Sequence, residues 1–381
     1  MIDPYSMLSD EERAFVEVLE RFVRDELMPH AAEVDEQAAF PRRQLSKLGE
    51  LGMLGANLPE EWGGAGISAP ALLRAVELVA SGCGSTVSAL TAHYLCTDSI
   101  LFGGNDEQRG RWLPKAAAGS VLGAFALTEP TAGSDPADMK TVARRIEGGW
   151  HLKGSKCFIS NGGEADIIVV YAVTDAAAGH RGISAFLLES GTPGLQVGLP
   201  EKTMGLRGGH VFTLHFDCIL PEEALLGGVT GQGFKTAMKT LDNGRVEVAA
   251  MCLGIAGEAM RLAANYARER VIGGEALSEK QGIRWMLADM ALDLQSARLL
   301  ALEAARQREL GLRFSGAAAM AKLAASEMAA RVTDKALQVH GGYGYTRDLP
   351  LERFVRDVRI MRIYEGSSEI QRNIIAAHVL S

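Results

Sequence analysis

One carboxylate near the C-terminal end of the chain has the surroundings expected of a general base. Glu365 follows an apolar pair, and Ser368 and Gln371 behind it have the spacing of a capping box, which predicts that a helix starts there. A carboxylate held in a water-poor pocket at such a fixed point has its pKa raised toward neutrality, as a general base requires. The alternative interpretation is a solvated glutamate in a loop.

A turn in the middle of the chain could bind phosphate or the edge of a ring. Residues 125–135 leave a predicted strand and turn sharply through Pro130 and Gly133. Such a turn frees backbone N–H groups and hydroxyls, which can form a concave nest for an anion or an electron-rich ring edge. An ordinary surface loop is the alternative.

The next predicted strand offers a face for a flat ring. Phe158 and Ser160 stand two residues apart within residues 154–163, so the alternation of side chains along a strand puts them on one face. A planar ligand could lie against that face. Phe158 could instead be an ordinary core residue.

A third candidate segment lies at the end of a predicted helix. Residues 337–345 pass through Gly341 and Gly342 and would let a ligand or another backbone approach closely. A simple helix cap is the alternative. His340 is interpreted as structural, and no metal site is expected, because no second ligand stands at metal-binding spacing.

Composition excludes several classes of partner and location. The 381 residues carry a formal charge of −8, with 47% hydrophobic and 23% charged residues, which is typical of folded globular chains and argues against nucleic acid as a partner. The polar segment 1–10 does not resemble a secretory signal, and no apolar run predicts a membrane span. Five scattered cysteines without a C-x-x-C pair predict reduced thiols and a cytoplasmic protein.

The order of predicted elements divides the chain into three parts. Helical periodicity begins at a capping box of Ser9 and Glu12 and continues in the stretches 41–54, 69–80 and 87–102. Short β-rich runs follow at 123–127, 141–146, 150–160, 167–173, 183–188 and 211–216, with a hairpin at Gly148-Gly149. Long helical stretches then occupy 234–270, 279–310, 315–340 and 368–380. We therefore expect a helical domain over 1–120, a β-barrel over 121–230 and a four-helix bundle over 231–381.

These segments, in this order, make the chain resemble the acyl-CoA dehydrogenase family from about residue 9 to residue 380. The similar motifs are Thr-Glu-Pro-x-x-Gly-Ser-Asp from Thr128, Gly-x-Lys-x-x-Ile-Ser-Asn from Gly154, Met-Gly-Leu-Arg from Met204, the run 338–342, and Tyr-Glu-Gly around Glu365. The resemblance implies a homotetramer with one FAD per subunit between barrel and bundle.

The resemblance also implies a set of binding residues. The FAD would contact Phe125, Leu127, Thr128, Gly133, Ser134, Phe158, Ser160, Arg270, Gln281, Gln338, Gly341, Gly342, Ser367 and Glu369. The acyl-CoA would contact Ser134, Arg245 and Gly366. The subset Arg270, Gln281, Gln338, Gly341 and Gly342 would meet the adenosine and diphosphate part, partly across a subunit boundary.

The implied reaction is α,β-dehydrogenation of an acyl-CoA thioester. Glu365 would remove the α-proton while hydride leaves the β-carbon for the flavin, and an electron-transfer flavoprotein would reoxidise the flavin. Some family members carry the base one residue before an arginine of the first bundle helix. Gly244 stands there in this chain, ahead of Arg245, so the chain resembles short- and branched-chain members.

Three positions depart from the family pattern, and other functions remain open. Gly273 stands where the family commonly has Phe, and Gly209 and Val211 replace the usual Ser and Thr. The alternatives are an oxidase of the same fold, an enzyme acting on a carrier-protein thioester, and a protein that binds acyl-CoA or flavin without catalysis.

Overall fold

The computed structural model describes residues 5–380, so residues 1–4 of the polar N-terminal segment and residue 381 lie outside the described part. The N-terminal part is helical, as predicted. Its first helix continues through a π turn and a 3-10 turn up to His30. The helices are α1 Asp10–Phe22, α2 Ala31–Gln37, α3 Arg42–Glu50, α4 Ala69–Gly82, α5 Gly84–Gly103 and α6 Asp106–Ala117.

Local capping explains where several of these helices begin and end. The predicted Ser9–Glu12 capping box at the start of α1 is confirmed. The prediction of one helix over 41–54 is wrong in extent: α3 stops at Glu50, because Gly52 takes a φ of +78° and turns the chain. The sequence analysis did not single out α6, whose capping box joins Asn105 and Gln108.

The middle part contains seven strands that curl around one apolar core. They are β1 Gly123–Ala126, β2 Val142–Ile146, β3 Gly149–Ser160, β4 Ile167–Val173, β5 Ile183–Glu189, β6 Leu195–Val197 and β7 Val211–Pro221. The sequence missed β6 and ended β7 too early, at residue 216. The hairpin is confirmed, since Ile146 pairs with Gly149 across Glu147 and Gly148.

Strand β4 joins this curled sheet to the helices. It pairs in parallel with β1 and antiparallel with β5, and the pairing path continues through β2, β3 and β7 to β6. Ile168 and Val170 face the core of the sheet, whereas Val169 and Tyr171 face the helices. Both faces are therefore covered, which explains the uninterrupted apolar run in the sequence.

The C-terminal part is a four-helix bundle, as predicted. Gly341, at a φ of +60°, ends α9 as the sequence indicated. A small hairpin between the first two long helices was not predicted. The elements are α7 Gly233–Glu269, β8 Val271–Ile272, β9 Glu275–Ala276, α8 Gln281–Glu309, α9 Ser315–His340, α10 Gly342–Tyr345, α11 Leu351–Val358 and α12 Ser368–Leu380.

The N-terminal helices and the bundle share one hydrophobic core, which spans residues of α4, α5, α7, α8 and α9. At Gly254 of α7 a Cβ atom would lie 2.1 Å from the carbonyl oxygen of Glu77 in α4, so the two helices touch through their backbones. None of the helices in the described part of the chain has the length and apolar character needed to cross a bilayer.

Asn161 ties the sheet to α5. Its side-chain Nδ2 donates to the carbonyl oxygens of Ala89 at 2.8 Å and Gly123 at 3.2 Å, and its own backbone has a φ of +61°. Asparagine tolerates this left-handed conformation better than most residues. The backbone of Asn161 therefore ends strand β3, and its side chain connects the sheet to α5.

We expect Asn161→Ala to lower the free energy of unfolding by about 2 kcal/mol, because two buried carbonyls lose their donor. Asn161→Gly is the matched control: it loses the same hydrogen bonds but tolerates the positive φ, so it should be less destabilised than Asn161→Ala by about 1 kcal/mol. Urea unfolding of the three proteins measures both differences. Equal stability of Asn161→Ala and the native chain would contradict this role.

Candidate active site

Glu365 lies in a left-handed turn between a 3-10 turn, Arg359–Arg362, and α12. Its φ is +51° and that of Gly366 is +92°. The Gly366 carbonyl accepts hydrogen bonds from Lys322 Nζ at 2.7 Å and Gln371 Nε2 at 2.9 Å, and Gln371 Nε2 also donates to the Glu365 carbonyl at 3.1 Å. Two side chains from two helices thus hold a backbone conformation that is unfavourable for glutamate.

The predicted capping box of Ser368 and Gln371 is wrong by one position. Helix α12 begins at Ser368, and Ser367 caps it, since its Oγ accepts from the Ile370 N–H at 3.4 Å. The Gln371 amide cannot reach back to the cap because it serves the 365–366 carbonyls. Ser368 Oγ donates instead to Glu327 Oε1 at 2.7 Å.

The carboxylate of Glu365 points at a gap that only glycine leaves open. A Cβ atom at Gly244 would lie 2.1 Å from Glu365 Oε2 and 2.8 Å from Leu95 Cδ2. Oε2 is buried and has no hydrogen-bond partner among the described residues. The carboxylate therefore sits between α7 and α5 with one oxygen free to meet a ligand.

The surroundings of Glu365 bring its pKa into the range of a general base. Burial raises the pKa to about 7, while the positive charges of Lys322 and Arg245 oppose that rise. Such a carboxyl is partly ionised near neutral pH and can still accept a proton. The solvated loop glutamate considered as an alternative does not describe this residue.

Phe158 presents an aromatic ring to the outside of the sheet. It sits at a bulge of β3, where the register with β7 shifts between Lys156 and Ile159, and has a φ of +55°. Its side chain is 67% exposed, so the alternative of a core residue is excluded. Ser160, two residues on, is half-buried. A strained, exposed aromatic at a bulge is typical of a binding surface.

A buried ion pair fixes the loop beside this ring. Lys156 Nζ donates to Glu129 Oε1 and to the Leu127 carbonyl, both at 2.8 Å, and the Cys157 N–H donates to the Thr128 carbonyl at 3.0 Å. Both charged side chains are buried. The predicted segments 125–135 and 154–163 are thereby brought together, although no spacing in the sequence indicated this pair.

The other predicted residues of this loop differ in exposure. Leu127 is buried, Thr128 is half-buried, and Gly133 and Ser134 are exposed. The ring of Phe125 packs on Tyr171, with 5.1 Å between ring centroids. The structure therefore offers Gly133 and Ser134 to a ligand more directly than it offers Phe125.

A second predicted group lies at the other end of the bundle. Helices α7, α8 and α9 run alternately up and down, so the end of α7, the start of α8 and the end of α9 meet. The exposed residues there are Arg270, Gln281, Gln338, Gly341 and Gly342. At 1.5 Å per residue, roughly 35–40 Å of α7 separates them from Gly244.

Three predicted residues close to Glu365 differ in what they can contact. Arg245 is buried and forms an ion pair with Asp242, with Nη1 and Oδ1 2.5 Å apart, so it faces the interior. Ser367 is half-buried and Glu369 is exposed at the start of α12. The structure thus places Arg245 where its charge acts on Glu365 rather than on the surface.

Three domains of one known protein family match consecutive segments of this chain. The acyl-CoA dehydrogenase N-terminal, middle and C-terminal domains match residues 9–120, 124–219 and 231–380. The chain belongs to the acyl-CoA dehydrogenase family. It is 42% identical to the short-chain specific acyl-CoA dehydrogenase of Clostridium acetobutylicum over 98% of both chains, and 44% identical to that of Homo sapiens over 98% of this chain and 91% of the relative.

Solved structures of acyl-CoA dehydrogenases resemble this family member throughout its length. Butyryl-CoA dehydrogenase from Megasphaera elsdenii is 39% identical, with a TM-score of 0.95 over 98% of this chain and 99% of that one. A chain from a study of the electron-transferring flavoprotein of Acidaminococcus fermentans is 41% identical, with a TM-score of 0.96 over 98% of each.

The raised pKa of the Glu365 carboxyl should make this acyl-CoA dehydrogenase less stable as pH rises toward 8. The pKa of this carboxyl is about 7 in the folded chain and lower in the unfolded chain. The folded state therefore binds the proton more tightly, and the free energy of unfolding falls as pH rises through this range. We expect Glu365→Gln to be more stable than the native protein at pH 8, by about 2 kcal/mol, and this advantage to shrink toward pH 5. Unfolding in urea at both values tests it, and an advantage independent of pH would contradict it.

Proposed function

We propose that this protein is an FAD-dependent dehydrogenase that oxidises short-chain acyl-CoA thioesters to trans-2-enoyl-CoA. The observation that carries the proposal is the Glu365 carboxylate, whose Oε2 is buried between α7 and α5 without a hydrogen-bond partner and whose pKa is about 7. A thioester makes the C–H bond at its α-carbon only moderately acidic. Removal of that proton therefore requires a fixed general base with a pKa near the working pH.

The sheet offers surfaces that fit a flavin. The exposed ring of Phe158, the half-buried Thr128 and Ser160, and the exposed Gly133 and Ser134 belong to two segments that the buried Lys156–Glu129 pair joins. We propose that these residues, with Phe125, Leu127, Ser367 and Glu369, hold the ring and ribityl part. FAD, when bound, accepts hydride from the β-carbon of the substrate.

The residues around the turn have separate tasks in this proposal. Glu365 accepts the α-proton on Oε2, and its backbone N–H donates to the thioester oxygen, which stabilises the negative charge that develops there. Gly366 gives the substrate close access to the backbone, and Ser134 contacts the thioester end. The buried Arg245 acts on Glu365 through its positive charge, which lowers the pKa of that carboxyl.

The packing beyond Glu365 supports a short acyl chain. Gly244 and Met251 lie on one side of α7, seven residues and thus roughly 10 Å apart. Met251 is fully buried, and its Sδ is 3.6 Å from both Thr91 Oγ1 of α5 and Tyr364 Oη. An acyl chain that passes Glu365 between α5 and α7 therefore meets Met251. The names of the short-chain relatives agree with such a limit.

The two distant groups of FAD residues support a homotetramer. Because roughly 35–40 Å of α7 separates the two groups, we propose that the adenosine end meets Arg270, Gln281, Gln338, Gly341 and Gly342 partly across a subunit boundary. Apolar side chains of β8 and along α8 also need cover, because they are at least half exposed. They are Val271 (58%), Ile272 (50%), Trp285 (63%), Leu292 (69%) and Leu299 (50%).

We propose that an electron-transfer flavoprotein accepts the electrons. We also propose that the protein is located in the cytoplasm. The first rests on the 41% identity to a chain studied with such a flavoprotein. The second rests on five cysteines that are all buried free thiols.

Other functions have weaker but specific support. A chain described as a prolyl acyl carrier protein oxidase shares 29% identity, and an acryloyl-CoA reductase (NADH) of Anaerotignum propionicum shares 42%. Comparing turnover with oxygen, a flavoprotein acceptor and NADH separates these reactions.

We expect Glu365→Gln to keep bound FAD but to lose flavin bleaching by butyryl-CoA by about 10²–10⁴-fold, because the amide cannot accept the proton. Anaerobic stopped-flow spectroscopy measures the rate, and the visible spectrum measures bound FAD. Glu107→Gln, an exposed carboxylate of α6, is the control and should bleach at the native rate. Full bleaching by Glu365→Gln would overturn the assignment of the base.

Met251→Ala should widen the range of acyl chains, since removing its side chain opens the space between Thr91 and Tyr364. We expect the ratio of bleaching rates for octanoyl-CoA over butyryl-CoA to rise about tenfold or more. Met290→Ala in α8 makes a comparable cavity in the bundle core and serves as the control. An unchanged ratio in Met251→Ala, with FAD bound, would show that the limit lies elsewhere.

A further inference from the structure

Two lysines of the described chain are completely buried, and they differ in their partners. Lys156 has the carboxylate of Glu129 at 2.8 Å. Lys322, in the middle of α9, donates instead to a neutral group, the Gly366 carbonyl at 2.7 Å. Burying an ammonium group beside a carbonyl alone is unfavourable, so a second interaction must offset part of that cost.

The nearby groups identify that interaction. Four ionisable groups affect the pKa of Lys322 through their charge. They are Cys252 and Arg245 of α7, Glu327 of α9, and Glu365. Cys252 has its thiol pKa raised to about 12 by burial and is neutral. Glu327 already accepts from Ser368 and pairs with Arg362. Arg245 repels Lys322, which leaves Glu365 as the anion whose charge is otherwise unmatched.

The environment of Glu365 completes the set of charges. Lys322 and Arg245 are its two cationic neighbours, and the carboxylate of Glu247 on α7 faces it with a pKa raised well above the ordinary value by burial. Tyr364, beside Glu365, also has its pKa raised by burial and is neutral. Within residues 5–380, Lys322 and Arg245 are the cations that oppose the effect of burial on Glu365.

We propose that Lys322 is a positioning residue for the base. Its hydrogen bond to Gly366 holds the left-handed 365–366 turn, and its positive charge keeps the Glu365 carboxylate ionised in a pocket that otherwise favours the neutral acid. The inference rests on the proposed function of Glu365 and assigns a role to a residue that touches neither acyl chain nor flavin.

The two ionisations are ordered in a way that suits this role. Burial lowers the pKa of Lys322 to about 8, whereas that of Glu365 is about 7. As pH rises, Glu365 loses its proton first, while Lys322 is still charged. The positive charge is therefore present at the pH at which the base begins to form.

The test uses two neutral replacements that separate charge from hydrogen bonding. Lys322→Met removes both, and Lys322→Gln removes the charge but can still donate to Gly366. We expect the pH midpoint of flavin bleaching by butyryl-CoA to rise by about one pH unit in both, with a rate at pH 7 about fivefold lower. At high pH, Lys322→Gln should approach the native rate and Lys322→Met should stay below it.

Lys335→Met is the matched control, because Lys335 lies on the same helix but forms a salt bridge with Asp289 away from the turn. Its pH midpoint should equal that of the native holoenzyme. A native midpoint in Lys322→Gln, with FAD bound, would overturn the inference while leaving the proposed dehydrogenase intact. Absence of bleaching in the native protein would instead overturn the proposed function, and this inference with it.

A stability measurement gives a readout that does not depend on turnover. If Lys322 and Glu365 interact through charge, the loss of stability caused by Lys322→Gln at pH 8 should be smaller in a Glu365→Gln background than in the native background. Equal losses in the two backgrounds would contradict a charge interaction. Because Lys322→Gln retains the donor, the comparison stands even where Lys322→Met does not fold.

Discussion

The burial of one carboxylate against a helix backbone constrains most of what surrounds it. Glu365 Oε2 reaches so close to Gly244 that any side chain at that position of α7 would displace it. Removing this group from water raises its pKa to about 7, against the opposing charges of Lys322 and Arg245. The position of the base therefore depends on three helices at once, α5, α7 and α9.

The backbone at this point is strained, and side chains of α9 and α12 hold it. Glu365 is one of five residues other than glycine with a positive φ in the described chain, together with Ala38, Phe158, Asn161 and Leu206. Three of them, Phe158, Asn161 and Glu365, lie at the proposed site or tie its parts together. Such strain persists only where surrounding contacts determine the conformation, and here buried donors supply them: Lys322 and Gln371 at the turn.

The sheet contributes by similar means. The buried Lys156–Glu129 pair holds the loop after β1, and Glu129 also accepts hydrogen bonds from the backbone N–H groups of Lys140 and Thr141. Phe158 is exposed because the bulge turns it outward, whereas its neighbour Ile159 is buried. An aromatic surface is thus kept beside a rigid loop, which is what binding a planar ring requires.

Local sequence patterns predicted most of the helices and strands and the order of the three parts. Periodicity located α9 at both ends and β4 at both ends, because long amphipathic or wholly apolar runs with clear glycine stops leave little choice. It also identified Glu365, Thr128 and Phe158 as candidates, since their motifs are local. It failed where local signals compete: the cap of α12 falls on Ser367, because Gln371 is engaged by two distant carbonyls, and β6 and α6 were missed.

Which charges come together depends on packing between elements that are remote in the sequence. Lys322 and Glu365 are 43 positions apart, and Lys156 and Glu129 are 27, so no spacing rule connects them. The pKa of Glu365 depends on burial by helices that are remote in sequence, and the space at Gly244 exists only because α7 and the turn before α12 pack together. Periodicity and caps act over a few residues, whereas desolvation and charge act across the folded core, and the chemistry of this site belongs to the second kind.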